Sequence, residues 1–337
     1  MQLPSTQRPA MQHPKGDYKN LLNKDEIAVF MHKSDTKALW MVLTNWVLIA
    51  CAFALPAWDA NLLTVLASLI LLGNRQLGLG ILMHDCAHSS LFATRKYNQW
   101  VGQWLCAAPI LADLNGYRKY HLKHHKEAGT TNDPDYPNYK NYPVTQKSLS
   151  RKIIRDLTGL TGLKTLYAVL LMHGKIIEYD MSYQKSDAQA LPIGAVIRNI
   201  LLALLPGAVV HMAIVTVLTL CDAAFVYPLW WVAFLTTNML FARIRNSAEH
   251  ANVPDLLAKD PRLHARTTYA SWWERLTFAP NHVNYHLEHH WVPTVPPYHL
   301  AGFHRYLLQK GYLEGAEVLN GYTDVLRRMS GMAIKPN

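Results

Sequence analysis

Four long apolar stretches, arranged as two close pairs, constrain this chain more than any other feature of its sequence. They run over about residues 38–58, 61–83, 197–221 and 223–242, and a helix needs about 20 apolar residues to cross a bilayer. A short turn at Asp59 separates the first pair, and another at Asp222 separates the second. The sequence therefore predicts an all-α integral membrane protein with four transmembrane helices in two hairpins and a cytoplasmic helical cap.

The distribution of charge predicts the orientation of these hairpins. The chain has a formal net charge of +10, but neither turn contains Lys or Arg. Basic residues concentrate in the N-terminal tail, after Met83 and after Ala242, so the positive-inside rule places these three regions in the cytoplasm. A basic surface suits anionic lipid, and no recognition motif for nucleic acid accompanies it. We predict a protein of the bacterial inner membrane with no nucleic-acid partner.

Three regions follow from this topology. They are a cytoplasmic N-terminal tail (1–37), a membrane domain (38–310) and a C-terminal cytoplasmic segment (311–337). Two shorter apolar stretches, 99–112 and 157–172, are marginal for spanning. We expect both to be amphipathic helices lying in the interface, with a re-entrant helix as the alternative for the first. Arg75, within the second span, is expected to face the protein interior.

Histidines recur in four short clusters, all on the predicted cytoplasmic side. The clusters, one of which begins with an asparagine, are His84 and His88; His121, His124 and His125; Asn246 and His250; and His282, His286, His289 and His290. Residues three and four apart share one face of a helix, so each cluster can aim several imidazoles at one point. Imidazole binds iron, zinc, copper and nickel, and ten histidines exceed what one ion can use. The sequence therefore predicts two metal ions. Cys86 lies off the helical face of His84 and is not included as a ligand.

The position of the clusters favours an enzyme over a metal transporter. Transporters hold their ligands within the spans, whereas the predicted spans contain one histidine, His211. A site just outside the bilayer suits chemistry on a lipid chain. Iron can reduce dioxygen to an oxidant that attacks unactivated C–H bonds, and zinc has no redox chemistry. We therefore expect two iron ions, with dioxygen as a co-substrate, and keep a non-enzymatic membrane metal carrier as the distant alternative.

The motifs HDCAH, HLKHH and HLEHH, in this order and with hairpins between them, resemble the three histidine boxes of the membrane fatty acid desaturase family. NSAEH resembles the Asn-plus-His element of acyl-CoA desaturases. The resemblance implies a non-haem di-iron site, with the following ligands: His84, His88, His121, His124, His125, His250, His286, His289 and His290. Asn246 is expected to reach iron directly or through water. His282, which precedes the third box, is expected to lie outside the ligand set.

Five carboxylates near the boxes are candidates to hold the outer N–H groups of ligand imidazoles. They are Asp85, Asp133, Asp135, Glu249 and Glu288. For Asp133 and Asp135, in NDPDYP, turn formation is an equal alternative. The histidines outside the boxes, such as His264, His299 and His304, are expected to be dispensable for activity.

The resemblance implies oxygen-dependent removal of two hydrogens from a fatty acyl chain. The sequence has no HPGG haem-binding motif, so we expect a separate electron donor, a ferredoxin or a small cytochrome with its reductase. The same iron pair could instead hydroxylate an alkane or lipid, modify a carotenoid ring, or decarboxylate a fatty acid to a terminal alkene. Tyr117, Tyr120, Tyr285 and Trp291 could line the substrate path, although packing is the favoured role for each.

Overall fold

A computed structural model describes residues 16–180 and 191–333. Within these residues the fold is α-helical apart from two short paired strands. The helices are α1 (Tyr18–Leu21), α2 (Lys24–Met31), α3 (Asp35–Trp58), α4 (Leu62–Ala87), α5 (Arg95–Val101), α6 (Leu114–Glu127), α7 (Tyr136–Tyr139), α8 (Gln146–Leu157), α9 (Leu160–His173), α10 (Ile193–Leu220), α11 (Pro228–Leu235), α12 (Thr237–His250), α13 (Pro261–His264), α14 (Trp272–Arg275), α15 (His286–Trp291), α16 (Pro297–Gln309) and α17 (Tyr322–Met329). Strand β1 (Thr267–Thr268) pairs in parallel with β2 (Val318–Leu319).

Four helical segments of the described chain are long and apolar enough to cross a membrane. They are Asp35–Trp58, Leu62–Ala87, Ile193–Leu220 and Ala224–His250. This confirms the prediction of an all-α integral membrane protein with four spans. The second and fourth segments continue past their predicted ends, to Ala87 and His250, so the helices that cross the membrane also carry histidines of the clusters.

Local hydrogen bonds form the tight turn of the first hairpin. Asn61 begins α4 by accepting hydrogen bonds from the backbone N–H groups of Leu63 and Thr64, at 2.9 and 3.1 Å. The Thr64 hydroxyl accepts one in return from the Asn61 N–H, at 3.1 Å. This reciprocal capping satisfies donors that a helix start leaves unpaired. It explains why a few residues suffice to reverse the chain.

The fourth span bends where it meets the second. Thr236 has non-helical dihedral angles (φ −119°, ψ −86°) between α11 and α12, and its neighbour Thr237 donates a hydrogen bond to the Leu69 carbonyl at 2.6 Å. Gly73 faces this contact, because a Cβ atom placed there would lie 2.8 Å from the backbone nitrogen of Asn238. The backbones of α4 and α12 therefore pack directly against each other.

Arg75 lies inside the protein, as expected, with an amide partner. Its side chain is buried, and its Nε donates to Oδ1 of Asn74 at 2.7 Å. Asn74 in turn donates to the Thr277 carbonyl at 2.8 Å. The buried guanidinium therefore has a polar partner within the span, a neutral amide rather than a carboxylate.

Neither of the two shorter apolar stretches is among the four spans. The first forms α5, a π-helical turn over Gly102–Ala107 and a 3₁₀ turn over Ala108–Ile110; the second forms α9. Two histidines bind the end of the first stretch, since His211 donates to the Pro109 carbonyl at 3.0 Å and His173 to the Leu111 carbonyl at 2.9 Å. His211, the one histidine within the spans predicted from the sequence, therefore has a structural contact.

Described parts of both flanking regions pack on the membrane domain. In the N-terminal tail, α2 places the Phe30 ring 5.5 Å from that of Phe303 on α16. In the C-terminal segment, Tyr322 and Val325 of α17 are buried in the same core as Phe241 of α12. Both regions therefore form part of a helical cap at the end of α4 and α12, where the histidines lie.

We expect Gly73→Ala to lower the free energy of unfolding by about 1–3 kcal/mol, because the new methyl group would overpack the contact between α4 and α12. Thermal unfolding in detergent measures this effect. Gly194→Ala is the matched control, since nothing lies within 4 Å of its Cβ position. Equal melting temperatures for the two variants would contradict the close approach of these helices.

Candidate metal centre

Four helices bring the histidine clusters together. His84 lies in the last turn of α4 and His88 caps its C-terminus. Three histidines lie on α6, which packs against α4, and His250 ends α12. The third box forms α15, a short helix of six residues. Residues separated by more than 200 positions in the chain therefore meet in one region of the cap.

Nine histidines form two groups whose ligand atoms lie within 4.8 Å of one another. The first group is His84, His88, His121, His125 and His289; the second group is His124, His250, His286 and His290. These nine are the histidines that the family resemblance implied as ligands; Asn246, the tenth residue expected at the metal, lies on the wall of the neighbouring cavity. Among the described residues the nine histidines are arranged as five plus four, which suits two separate ions rather than one.

The chemistry of the facing nitrogen atoms fits a cation in each group. Nδ1 of His250 lies 2.8 Å from the His264 carbonyl, and Nδ1 of His286 lies 3.1 Å from a carboxylate oxygen of Glu249. Nδ1 of His250 therefore donates to this carbonyl, which leaves its Nε2 as an acceptor only. The carboxylate beside Nδ1 of His286 favours the same tautomer, with Nε2 as the acceptor. These two Nε2 atoms lie 2.9 Å apart. Two lone pairs at this distance repel each other unless a positive ion binds both.

The first group shows a similar close approach of ring nitrogens. Nε2 of His125 lies 3.0 Å from Nε2 of both His121 and His289. The Nε2 atoms of His84 and His88 are buried and have no hydrogen-bond partner among the described residues. Buried polar atoms are normally satisfied, so these nitrogens are available to a metal, and an all-imidazole set suits iron among other transition metals.

Carboxylates orient several of these imidazoles from outside. Oδ1 of Asp85 lies 2.9 Å from Nδ1 of His84, and Oδ1 of Asp133 lies 2.8 Å from Nδ1 of His124. Asp135 is 3.5 Å from the same His124 nitrogen, and Glu249 faces His286. Asp133 also accepts a hydrogen bond from the Asp135 N–H at 2.8 Å, so it both forms a turn and orients an imidazole. Such outer partners fix the tautomer and direction of a metal ligand.

Glu288 differs from expectation. Its Oε1 is 2.6 Å from Nδ1 of His304, and its Oε2 accepts a hydrogen bond from Thr267 at 2.5 Å. Two residues along α15 from His286, it points away from the ligand face. It therefore supports α15 through α16 and β1 rather than through one of the nine imidazoles.

His282 lies outside both groups, in a 3₁₀ turn before the third box. Positive φ angles at Asn281 (56°) and His282 (62°) break the helical register between this residue and α15. Spacing alone could not reveal this break, because it depends on backbone conformation.

His264 is a residue that the sequence reading missed. Besides accepting from His250, it places its own Nε2 3.4 Å from Nδ1 of His290. A backbone carbonyl leaves no signal in a sequence, so this role could be found only in the structure. His304, through Glu288, is also tied to α15, whereas His299 contacts Lys37 and the Phe30 carbonyl, away from both groups.

A cavity of about 260 Å³ opens beside the second group. Its polar wall includes His124, His250 and His286, and Asn246 lies there with its Oδ1 accepting a hydrogen bond from Arg245 at 2.8 Å. The opposite wall is the apolar side of α9, with Ala168, Val169 and Met172. Two of the four singled-out aromatic residues, Tyr117 and Tyr120, line this cavity; Trp291 instead packs against Tyr18, and Tyr285 against His304.

The comparison with protein families identifies this arrangement. The family model described as fatty acid desaturase matches residues 60–319, a range that contains all nine histidines. This chain belongs to the fatty acid desaturase family.

Two curated proteins with different activities are similar to parts of this chain. It is 28% identical over 118 residues to an sn-1 acyl-lipid omega-3 desaturase (ferredoxin) of Nostoc sp. (strain 36), covering 33% of this chain and 33% of the relative. It is 38% identical over 101 residues to a beta-carotene ketolase of Paracoccus sp. (strain PC1), covering 28% of this chain and 40% of the relative. The matched part is well under two thirds of either relative's length.

Burial keeps most of the imidazoles of this desaturase-family site neutral. It lowers the pKa of His121, His125 and His289 well below the ordinary value, and lowers the pKa of His88 to about 3. Neutral imidazole is the form that binds a metal. His124 is the exception: burial lowers its pKa, but the hydrogen bond that it donates to Asp133 and the charge of Asp135 outweigh this and raise it.

We expect the metal-free protein to lose thermal stability as pH falls from about 6.5. Below that value the unfolded chain binds protons that the buried imidazoles exclude, so the free energy of unfolding decreases. The loss continues down to the lowered pKa values, about 4 for His264 and about 3 for His88. His124 and Asp135, whose pKa values are raised, oppose the trend but are outnumbered. Melting curves at several pH values measure it, and a flat profile between pH 6.5 and 5 would contradict it.

Proposed function

We propose that this protein is an oxygen-dependent desaturase that removes two hydrogens from adjacent carbons of a fatty acyl chain. Two electrons and two protons enter with dioxygen, which leaves as two molecules of water. The observation that supports this most strongly is the pair of histidine groups within the matched family region, beside a cavity with one apolar wall.

The nine histidines of the two groups are proposed to hold two iron ions. Bound there, the irons would supply the redox chemistry that activates dioxygen. The protein supplies position: Asp85, Asp133 and Glu249 keep protons on outer nitrogens, so that the inner nitrogens point at the ions.

The cavity suggests how a hydrocarbon chain meets the site. Ala168, Val169 and Met172 of α9 offer an apolar surface to an acyl chain, and the exposed side chains of Leu160, Leu163 and other residues give α9 an apolar outer face as well. We propose that the chain lies between α9 and the second group, with its reacting carbons facing His250 and His286. Packing around the chain also excludes water from the site.

Oxidation of a carotenoid ring, or hydroxylation of another lipid, is the second candidate. The 38% identity to a beta-carotene ketolase supports it, since the same iron pair can insert oxygen where the bound carbon is placed differently. Product analysis separates the two candidates, and a terminal alkene would indicate decarboxylation instead.

We propose that the electron donor is a separate acidic carrier, a ferredoxin or a small cytochrome, at the cytoplasmic face of a bacterial inner membrane. Lys119, Lys123 and Lys126 are exposed on the outer side of α6, and the inner side of the same helix carries His121, His124 and His125. A carrier on these lysines would be separated from the histidines by about the 10 Å thickness of one helix.

Expression in a bacterial membrane, followed by mass analysis of lipids and volatile hydrocarbons, tests the reaction. We expect new acyl double bonds, and replacement of His124 or His289 by Ala should reduce product about 100-fold or more and lower the iron content. His299→Ala is the control, because this residue lies away from both groups. Keto or hydroxyl lipids would favour the second candidate, and equal loss in all three variants would contradict a special role for the groups.

Charge reversal tests the carrier surface. We expect Lys119, Lys123 and Lys126, changed together to Glu, to raise the KM for an acidic carrier about 10-fold or more and to weaken its dependence on ionic strength. The matched control reverses Lys147, Arg151 and Arg155, three exposed cations on α8, a helix that carries none of the nine histidines. The same KM in both variants would contradict docking on α6.

A further inference from the structure

Arg245 contacts two residues beside the second group. It lies on α12, and its side chain is 15% exposed on the wall of the cavity beside His250 and His286. Its Nε is 2.6 Å from Oε1 of Glu249, and its Nη1 donates a hydrogen bond to Oδ1 of Asn246 at 2.8 Å. One planar guanidinium thus binds both the carboxylate and the amide that face the second group.

Glu249 links Arg245 to the histidines of the second group. Oε1 of Glu249 is also 3.1 Å from Nδ1 of His286, and Nε2 of His286 is 2.9 Å from Nε2 of His250. A carboxylate beside Nδ1 keeps the proton there and turns Nε2 toward the second group. Without Arg245, Glu249 would be a buried carboxylate that has lost its arginine partner, and its position against His286 would no longer be fixed.

The contact with Asn246 affects whether one side of the second group stays free of protein ligands. This group has four imidazoles where the first has five, and the cavity meets three of the four but only His121 of the first. Because Arg245 occupies Oδ1 of Asn246, this oxygen is directed at the guanidinium. The coordination position of the proposed ion that faces the cavity is then available to substrate or dioxygen.

We propose that Arg245 is a positioning residue for the ion of the second group. It holds Glu249 against His286 and holds Asn246 at the cavity wall, so that four histidines bind the ion and one side of it faces the cavity. This inference rests on the proposed iron site. It states that Arg245, which lies outside the histidine boxes, affects binding of the ion in the second group and not of the ion in the first.

Arg243 provides a matched comparison on the same helix. It forms an equivalent ion pair with the buried Asp156 of α8, with Nη2 2.8 Å from Oδ1, but neither partner contacts a histidine of the two groups in the described structure. Loss of this pair should reduce stability without changing the metal ligands. It therefore separates a general packing effect of a lost arginine from an effect on the site.

The test measures iron per folded protein, by elemental mass spectrometry on detergent-purified, size-selected protein titrated with iron(II). We expect about two irons in the wild type and in Arg243→Gln, and about one in Arg245→Gln, with a 10–100-fold weaker second binding step. Arg245→Lys keeps the charge beside Glu249 without the two-sided contact, so its second step should fall between these values. Arg245→Gln combined with Glu249→Gln should bind no more weakly than Glu249→Gln alone.

Several outcomes would overturn the proposal. Two irons bound to Arg245→Gln with unchanged affinity would show that the arginine does not position the ion, and so would equal losses in Arg243→Gln and Arg245→Gln. If Arg245→Gln does not fold, a wild-type second binding step in Arg245→Lys would have the same meaning. A wild-type protein that binds no iron would instead overturn the iron site itself, which is the proposed function, and this inference with it.

Discussion

The rest of this structure depends on one interaction, the close approach of imidazole nitrogens inside a buried cap. In the second group, His250 and His286 point unprotonated nitrogens at each other at 2.9 Å, and burial keeps most such rings neutral. The arrangement is unfavourable for the protein alone and favourable around a cation. Carboxylates and one backbone carbonyl behind the rings keep them in this orientation, so the surrounding fold sustains a geometry that the rings would not adopt by themselves.

The membrane helices position this cap because two of them continue into it. α4 and α12 pack backbone to backbone at Gly73 and then extend beyond the apolar stretch to His84 and His250. A rigid pair of spans thereby sets the distance between one histidine of each group. Polar side chains within the spans, such as Arg75 and Asn74, satisfy each other, so the packing leaves the arginine paired.

The surroundings of the two groups differ, and this difference bears on the reaction. The first group has five rings and contributes only His121 to the larger cavity, whereas the second group contributes three of its four rings to that cavity, whose far wall is the apolar side of α9. A hydrocarbon held there would meet one side of the site only. Family membership leaves the exact reaction open, since the relatives include a desaturase and a ketolase. In the proposed function, the placement of the bound carbon atoms would decide the product.

The sequence by itself determined the four spans and the all-α class, because hydropathy and helical spacing act over short distances along the chain. Helical spacing also indicated the histidine clusters, and the family resemblance of their motifs selected the nine that meet. The sequence also indicated Asp85, Asp133, Asp135 and Glu249, which lie near the boxes in the sequence. Only the tertiary structure decided how nine rings divide into five and four, that His264 contacts the site, that Glu288 contacts His304 rather than one of the nine imidazoles, and that left-handed backbone at His282 interrupts the helix before the third box. These outcomes depend on helix direction, left-handed backbone and carbonyl contacts between distant segments, which leave no pattern in the order of residues.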